Sequence, residues 1–180
     1  MKATPCLSCA IVFGLLALGG RAQPAPAAGA ATAAAASGWK MDLSQELALW
    51  HAQPVAIDLA TFHERLPLGA RIDLKLVPNG SFPLPVALRS PPKEGTFGGT
   101  PVFTVPADGL YRISAGSPVW IEVADQNAGV AVHSPRYEMQ MHSEIRKCVL
   151  FPLRAGVPYV LQLSGSVKAE VSVLLTADRP

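Results

Sequence analysis

Hydrophobic and polar residues alternate along much of this chain with a period of two, the period of an extended strand. Residues 70–77 show it most cleanly. Ile72, Leu74 and Leu76 fall on one side and Arg71, Asp73 and Lys75 on the other, which predicts a strand with one wet face. In residues 102–123, Phe103 and Val105 alternate with polar neighbours, as do Tyr111 and Ile113. Between these pairs Pro106 fixes φ and Asp108-Gly109 permits reversal. A second reversal at Gly116-Ser117-Pro118 leads into Val119-Trp120-Ile121-Glu122-Val123. Taken locally, the three segments predict a linked antiparallel meander whose apolar face another layer must cover.

The same alternation recurs in residues 130–132, in Val149, Phe151 and Leu153, in Tyr159, Leu161 and Leu163, and in Val171, Val173 and Leu175. Trp39, Met41 and Leu43 suggest a first strand, whereas Asp42 and Gln45 have capping-box spacing ahead of a short helical turn. Residues 44–51 therefore stay open between helix and strand. Pro83, Pro85, Pro91 and Pro92 confine any pairing by residues 86–88 to a sheet edge. Residues 95–100 read as loop, and 134–143 show no clear period. Eight or nine short strands, Gly/Pro-rich turns and at most one short helix predict an all-β fold, an antiparallel two-sheet sandwich or jelly roll. No recurrent crossover helix supports a parallel α/β sheet.

The first 40 residues change the picture. Lys2, an apolar run over 10–18 and small residues around Arg21 form a signal peptide, residues 1–22, with cleavage before Gln23. The run is too short to span a bilayer comfortably, so no stable membrane insertion is expected after cleavage. Residues 23–38 are almost wholly Ala, Pro and Gly, a linker, and residues 39–180 form one sandwich domain. The expected location is periplasmic or secreted. The chain carries 15 Lys+Arg and 13 Asp+Glu, and losing Lys2 and Arg21 leaves 13 of each. A near-neutral chain without a basic run disfavours nucleic acid as a partner. Cys6 and Cys9 leave with the signal, so Cys148 has no intrachain disulfide partner and reads as a small buried hydrophobe.

The densest polar grouping lies in residues 133–144. His133, Glu138 and His142 are the residue types of a two-His, one-carboxylate Fe2+ site, and Met139, Met141 and His142 could hold Cu+. The spacing matches no firm metal signature. The plainer reading is a solvated loop whose methionines pack onto a sheet and whose His and Glu face water, with no cofactor. No Gly-x-Ser-x-Gly nucleophile elbow occurs. Trp120 shares a face with Glu122 by period two, so it either joins the core or forms a wet-face sugar platform beside Glu122 and Arg112. Tyr137 is a further exposed-type aromatic. Trp120, Glu122 and Tyr137 are thus the candidate ligand-binding residues.

Several segments carry a resemblance: Trp39-Lys40-Met41-Asp42-Leu43-Ser44-Gln45-Glu46, Phe103-Thr104-Val105-Pro106-Ala107-Asp108-Gly109-Leu110-Tyr111-Arg112, Val119-Trp120-Ile121-Glu122-Val123, Ile145-Arg146-Lys147-Cys148-Val149-Leu150-Phe151 and Tyr159-Val160-Leu161-Gln162-Leu163-Ser164-Gly165. Over nearly all of the mature chain it resembles short exported bacterial proteins of unknown role, often labelled homogentisate 1,2-dioxygenase. That label implies ferrous iron and cleavage of an aromatic ring; His133, Glu138 and His142 are the residues of the right types to hold the iron, although four residues separate His133 from Glu138 where the dioxygenase has five. The strand pattern is also weakly similar to jelly-roll carbohydrate-binding modules, at the level of fold only. The leading expectation is a non-catalytic exported sandwich that binds a glycan or an envelope protein. Its rivals are the iron dioxygenase and a periplasmic copper-binding protein.

Overall fold

Alternating side chains need two surfaces to face, and here they meet across two six-stranded sheets. The structure, a computed structural model, describes residues 41–87, 92–139 and 144–178. Among these, one helix, α1 (Ser44–Trp50), precedes twelve strands. They are β1 (Val55–Asp58), β2 (Arg71–Lys75), β3 (Val77–Pro78), β4 (Phe97–Gly99), β5 (Val102–Phe103) and β6 (Gly109–Ala115). After them come β7 (Trp120–Asp125), β8 (Val130–Ala131), β9 (Arg136–Met139), β10 (Lys147–Leu153), β11 (Tyr159–Ser166) and β12 (Glu170–Ala177). The first sheet has the order β1-β2-β12-β6-β10-β9. The second runs β3-β4-β11-β7-β8, with β5 also paired to β11. Pairing is antiparallel except between β1 and β2. This is the all-β two-sheet sandwich that the alternation predicts.

The core between the sheets follows the period-two pattern. Ile72, Leu74, Ile113, Val149, Phe151, Val173 and Leu175 enter it from the first sheet; Phe103, Ile121, Val123, Leu161 and Leu163 enter from the second. Tyr111 and Tyr159 are buried there too, and their hydroxyls reach backbone at the rim. The Tyr111 hydroxyl donates to the Ala107 carbonyl (2.9 Å), and the Tyr159 hydroxyl accepts from the Arg154 N–H (2.9 Å). The Phe103 and Tyr159 rings lie 5.8 Å apart, tilted by 35°.

The meander expectation fails. β5 and β7 flank β11 in the second sheet, while β6 lies in the first between β12 and β10. The turns after Val105 and Ala115 therefore carry the chain across the sandwich, not back along a neighbour. Alternation sets which side chains point inward, and the same inward set is satisfied whether successive strands share a sheet or face each other. Four strands were not evident from pattern: β1, β3, which takes Val77 and Pro78 into the second sheet where a single strand and a turn were expected, β4 within the expected 95–100 loop, and β9 within aperiodic 134–143. Residues 41–43 are not strand; the helical reading of the following residues holds. Asp42 accepts the Ser44 N–H (2.9 Å) and its hydroxyl, a local turn that starts α1. Residues 86 and 87 lie outside any strand. Trp39, Leu88, the signal segment and the linker lie outside the described residues.

A second core explains how the first sheet is covered on its outer face. Met41, Leu43 and Trp50 pack onto Cys148, Leu150 and Leu174, with Ile145 completing the cluster. Beneath α1 the sheet presents Arg112 and Thr176 to Glu46, which is only 1% exposed. Arg112 Nη1 donates to Glu46 Oε2 (3.1 Å) and to the Asp42 carbonyl (2.6 Å), and its Nε donates to Asp178 (2.5 Å). The Thr176 hydroxyl donates to Glu46 Oε1 (3.0 Å), and the Met41 N–H donates to Glu138 (2.6 Å). Burial opposes the guanidinium charge, but the Glu46 and Asp178 carboxylates more than offset it and hold Arg112 above its ordinary pKa. Helix, first sheet and second sheet thus form three layers.

Cys148 sits in this second core, and burial pushes its thiol up to about 11 from an ordinary value of 9.0. The Ser114 hydroxyl donates to its sulfur at 3.5 Å. An acid whose folded pKa is raised stabilises the fold fully below its unfolded pKa and loses that contribution as pH rises. Stability should accordingly decline between about pH 9 and 11, and Cys148→Ala should flatten that decline in urea titrations taken at each pH. The thiol should also resist iodoacetamide at pH 8 until the chain is unfolded.

Candidate functional site

The outer face of the second sheet is where exposed chemistry gathers. On β7 the outward positions are Trp120, Glu122 and Ala124; opposite them on β11 stand Ser164, Gln162 and Val160. The inward positions between them, Ile121 and Val123, belong to the core, so the period of two places Trp120 and Glu122 on the far side. Part of this face is covered by the proline-rich segment before β4. Phe82 and Asn79 pack over Gly98, and the Val86 N–H donates to Gln162 Oε1 (3.1 Å). Gln162 is fully buried as a result. Its Nε2 donates to Glu122 Oε2 at 2.5 Å, orienting the carboxylate from a fixed amide.

Trp120 lies beyond that cover and is 65% exposed, which is unusual for so large an apolar side chain. Its ring edge passes close to Gly165, a residue with φ +73 whose missing side chain makes the approach feasible: a Cβ there would stand 3.0 Å from the ring. Lys147, from the first sheet, reaches across to the same ring with its ammonium 5.1 Å from the centroid. It is anchored by donating to the Val119 carbonyl (3.0 Å). Burial lowers the Lys147 pKa and the nearby Glu122 carboxylate works the other way. The Ser164 hydroxyl, in register with Trp120, is buried and has no hydrogen-bond partner among the described residues. Such a hydroxyl costs about 1–3 kcal/mol unless something satisfies it. An aromatic face, a carboxylate held by an amide and an ammonium therefore stand together.

The residues chosen from sequence are spread over several places. Trp120 and Glu122 form this row. Arg112, expected beside them, is instead on the outer face of the other sheet beneath α1. Tyr137 lies on β9, the edge strand of the first sheet, opposite Val149 and 69% exposed. His133 is exposed in the connection before β9. Glu138 stands opposite Cys148, hence on the helix-covered face, and its carboxylate receives the Met41 N–H. Met139 alternates to the other side, opposite Lys147. Met141 and His142 lie outside the described residues, and among the described ones no three His, Cys, Asp or Glu side chains converge as a metal site would require. Sequence reading missed Gln162 and Lys147. Gln162 reads as one polar residue in an apolar strand, and the buried amide of a β11 residue between Leu161 and Leu163 was the signal available.

Fold and site together define an all-β sandwich with a helix-capped face and an exposed aromatic–carboxylate row. Comparison with protein-family models, curated proteins and solved structures found no match. No helix among the described residues is long and apolar enough to cross a membrane.

Proposed function

We propose that this protein is an exported, non-catalytic binding module whose ligand is a carbohydrate, taken on the outer face of the second sheet. The observation that carries the reading is the 65% exposure of Trp120 beside a carboxylate already oriented by Gln162. A pyranose presents a C–H face that packs on an indole and a ring of hydroxyls that need fixed polar partners. Trp120 offers the first, while Glu122 and Lys147 offer an acceptor and a donor within the same neighbourhood. The surrounding sheet is rigid, so little is lost in ordering it on binding.

Affinity electrophoresis of the mature chain, residues 23–180, through gels containing soluble polysaccharides tests this directly. At least one glycan should retard it. Trp120→Ala should weaken that binding roughly thirtyfold, the equivalent of about 2 kcal/mol for a central aromatic anchor. Because Trp120 is exposed, the variant should keep its melting temperature. Equal retardation of wild type and variant, or no retardation by any glycan in a panel that includes cell-wall polymers, would sink the proposal.

A further inference from the structure

Among the described residues five strands have a strand neighbour on one side only, and four of them are short, contain proline or carry a nearby loop, β5 being two residues long. β8 and β3 have two residues each, and β3 includes Pro78. β1 is followed by a turn in which Thr61 and Phe62 fold back onto Asp58, and this segment lines a groove beside the strand. The remaining edge, β9, differs. It pairs with β10 in unbroken register over four residues, and no described strand occupies its other side. Tyr137 and Met139, on one face of this strand, are both largely exposed. Proteins ordinarily protect such an edge, because unpaired backbone groups recruit another strand.

We infer that β9 is the contact through which two copies of this chain associate, by antiparallel pairing of β9 with β9 about a two-fold axis at Tyr137. The sequence of the strand is self-complementary in that register. Residues on either side of the axis pair as 136 with 138, so Arg136 of each copy stands opposite Glu138 of the other, giving two cross-strand ion pairs. Both belong to the face that carries Cys148, since Glu138 stands opposite Cys148 and Arg136 opposite Leu150, which share the second core. Tyr137 meets its own copy on the opposite face, where the two exposed rings cover each other. Shifting the register by one residue would set Arg136 against Tyr137 and lose both ion pairs, so charge and aromatic pairing select the same alignment. The contact is only a few residues long, so the dimer should be concentration-dependent.

Disulfide trapping reads this geometry. A residue on the axis faces its own copy with Cα atoms about 4.5–5.5 Å apart, within the span of a disulfide. In the mature chain, Tyr137→Cys should therefore form a covalent dimer under mild oxidation about tenfold or more faster than Val130→Cys, an exposed control on another edge. Cys148 is buried and should stay out of the reaction. In parallel, sedimentation velocity of the unmodified chain should show a dimer that grows with concentration. Arg136→Glu should remove it, and the charge-swapped pair Arg136→Glu with Glu138→Arg should restore it. Circular dichroism and melting temperature check that each variant is folded. Equal trapping at 137 and 130, a monomer at every concentration, or a swapped pair that fails to dimerise while folded would overturn the inference.

Discussion

Replacing Arg112 by methionine is expected to cost about 3–5 kcal/mol of folding stability, more than any other single charged side chain described here. Glu46 is the reason. It is 1% exposed, one oxygen accepts from Arg112 and the other from Thr176. Methionine fills much of the same volume but leaves that carboxylate in a nearly dry layer with only a hydroxyl for company. The cost is therefore that of an orphaned charge, not of a missing contact. Asp178 and the Asp42 carbonyl lose their donor in the same step, which loosens the start of the covering segment and the end of β12. Urea titration should show a fall in midpoint with an unchanged slope. The partner test separates the charge from the packing. Glu46→Gln combined with Arg112→Met should cost clearly less than the two single changes added together, because the amide needs no counter-charge. A loss below about 1 kcal/mol for Arg112→Met would mean that Glu46 finds water or another partner when α1 shifts, and that the helix is not pinned by this pair.

The second large effect is expected at Gly98. A Cβ placed there would stand 2.3 Å from the Leu163 carbonyl oxygen, 2.7 Å from Asn79 Oδ1 and 2.9 Å from the Phe82 ring. The last two can swing away. The carbonyl cannot, because β11 is held by β7 on its other side and lies in the middle of the second sheet. Gly98→Ala should then destabilise the fold by about 1–3 kcal/mol as β4 is pushed off β11. Gly109→Ala is the matched control, since nothing lies within 4 Å of the added methyl. Hydrogen exchange offers a local readout: the Val86 amide, which donates to Gln162, should lose protection in Gly98→Ala. Equal stabilities for the two alanine variants would show that β4 has room to relax.

Period-two alternation located the core residues well because burial on one face is a property of a strand's own sequence. Ile72, Leu74, Ile113, Val123, Leu161 and Val173 all point where their neighbours' polarity says they should. It failed on neighbours. Phe103, Tyr111 and Ile121 face inward from strands that alternate between sheets, and no local signal distinguishes a hairpin turn from one that crosses the sandwich. β9 escaped notice for a related reason: an edge strand buries too little of either face to show a period. Trp120 could be narrowed to two fates by sequence but not decided, because whether its face is covered depends on how far the proline-rich segment before β4 extends across the sheet. Its described residues reach over Gln162 and Gly98, and Trp120 is 65% exposed.

The sequence by itself determined the fold class, the inward-facing set and the shared face of Trp120 and Glu122, since each depends only on residues two apart. Only the tertiary structure decided which sheet each strand joins, which outer face α1 covers and that Trp120 stays exposed on the other. It alone brought Glu46 to Arg112 across 66 positions, and Lys147 from one sheet to the Trp120 ring on the other. Those contacts join groups with no local reason to meet, and they form only once burial of the shared core has fixed the layers against each other.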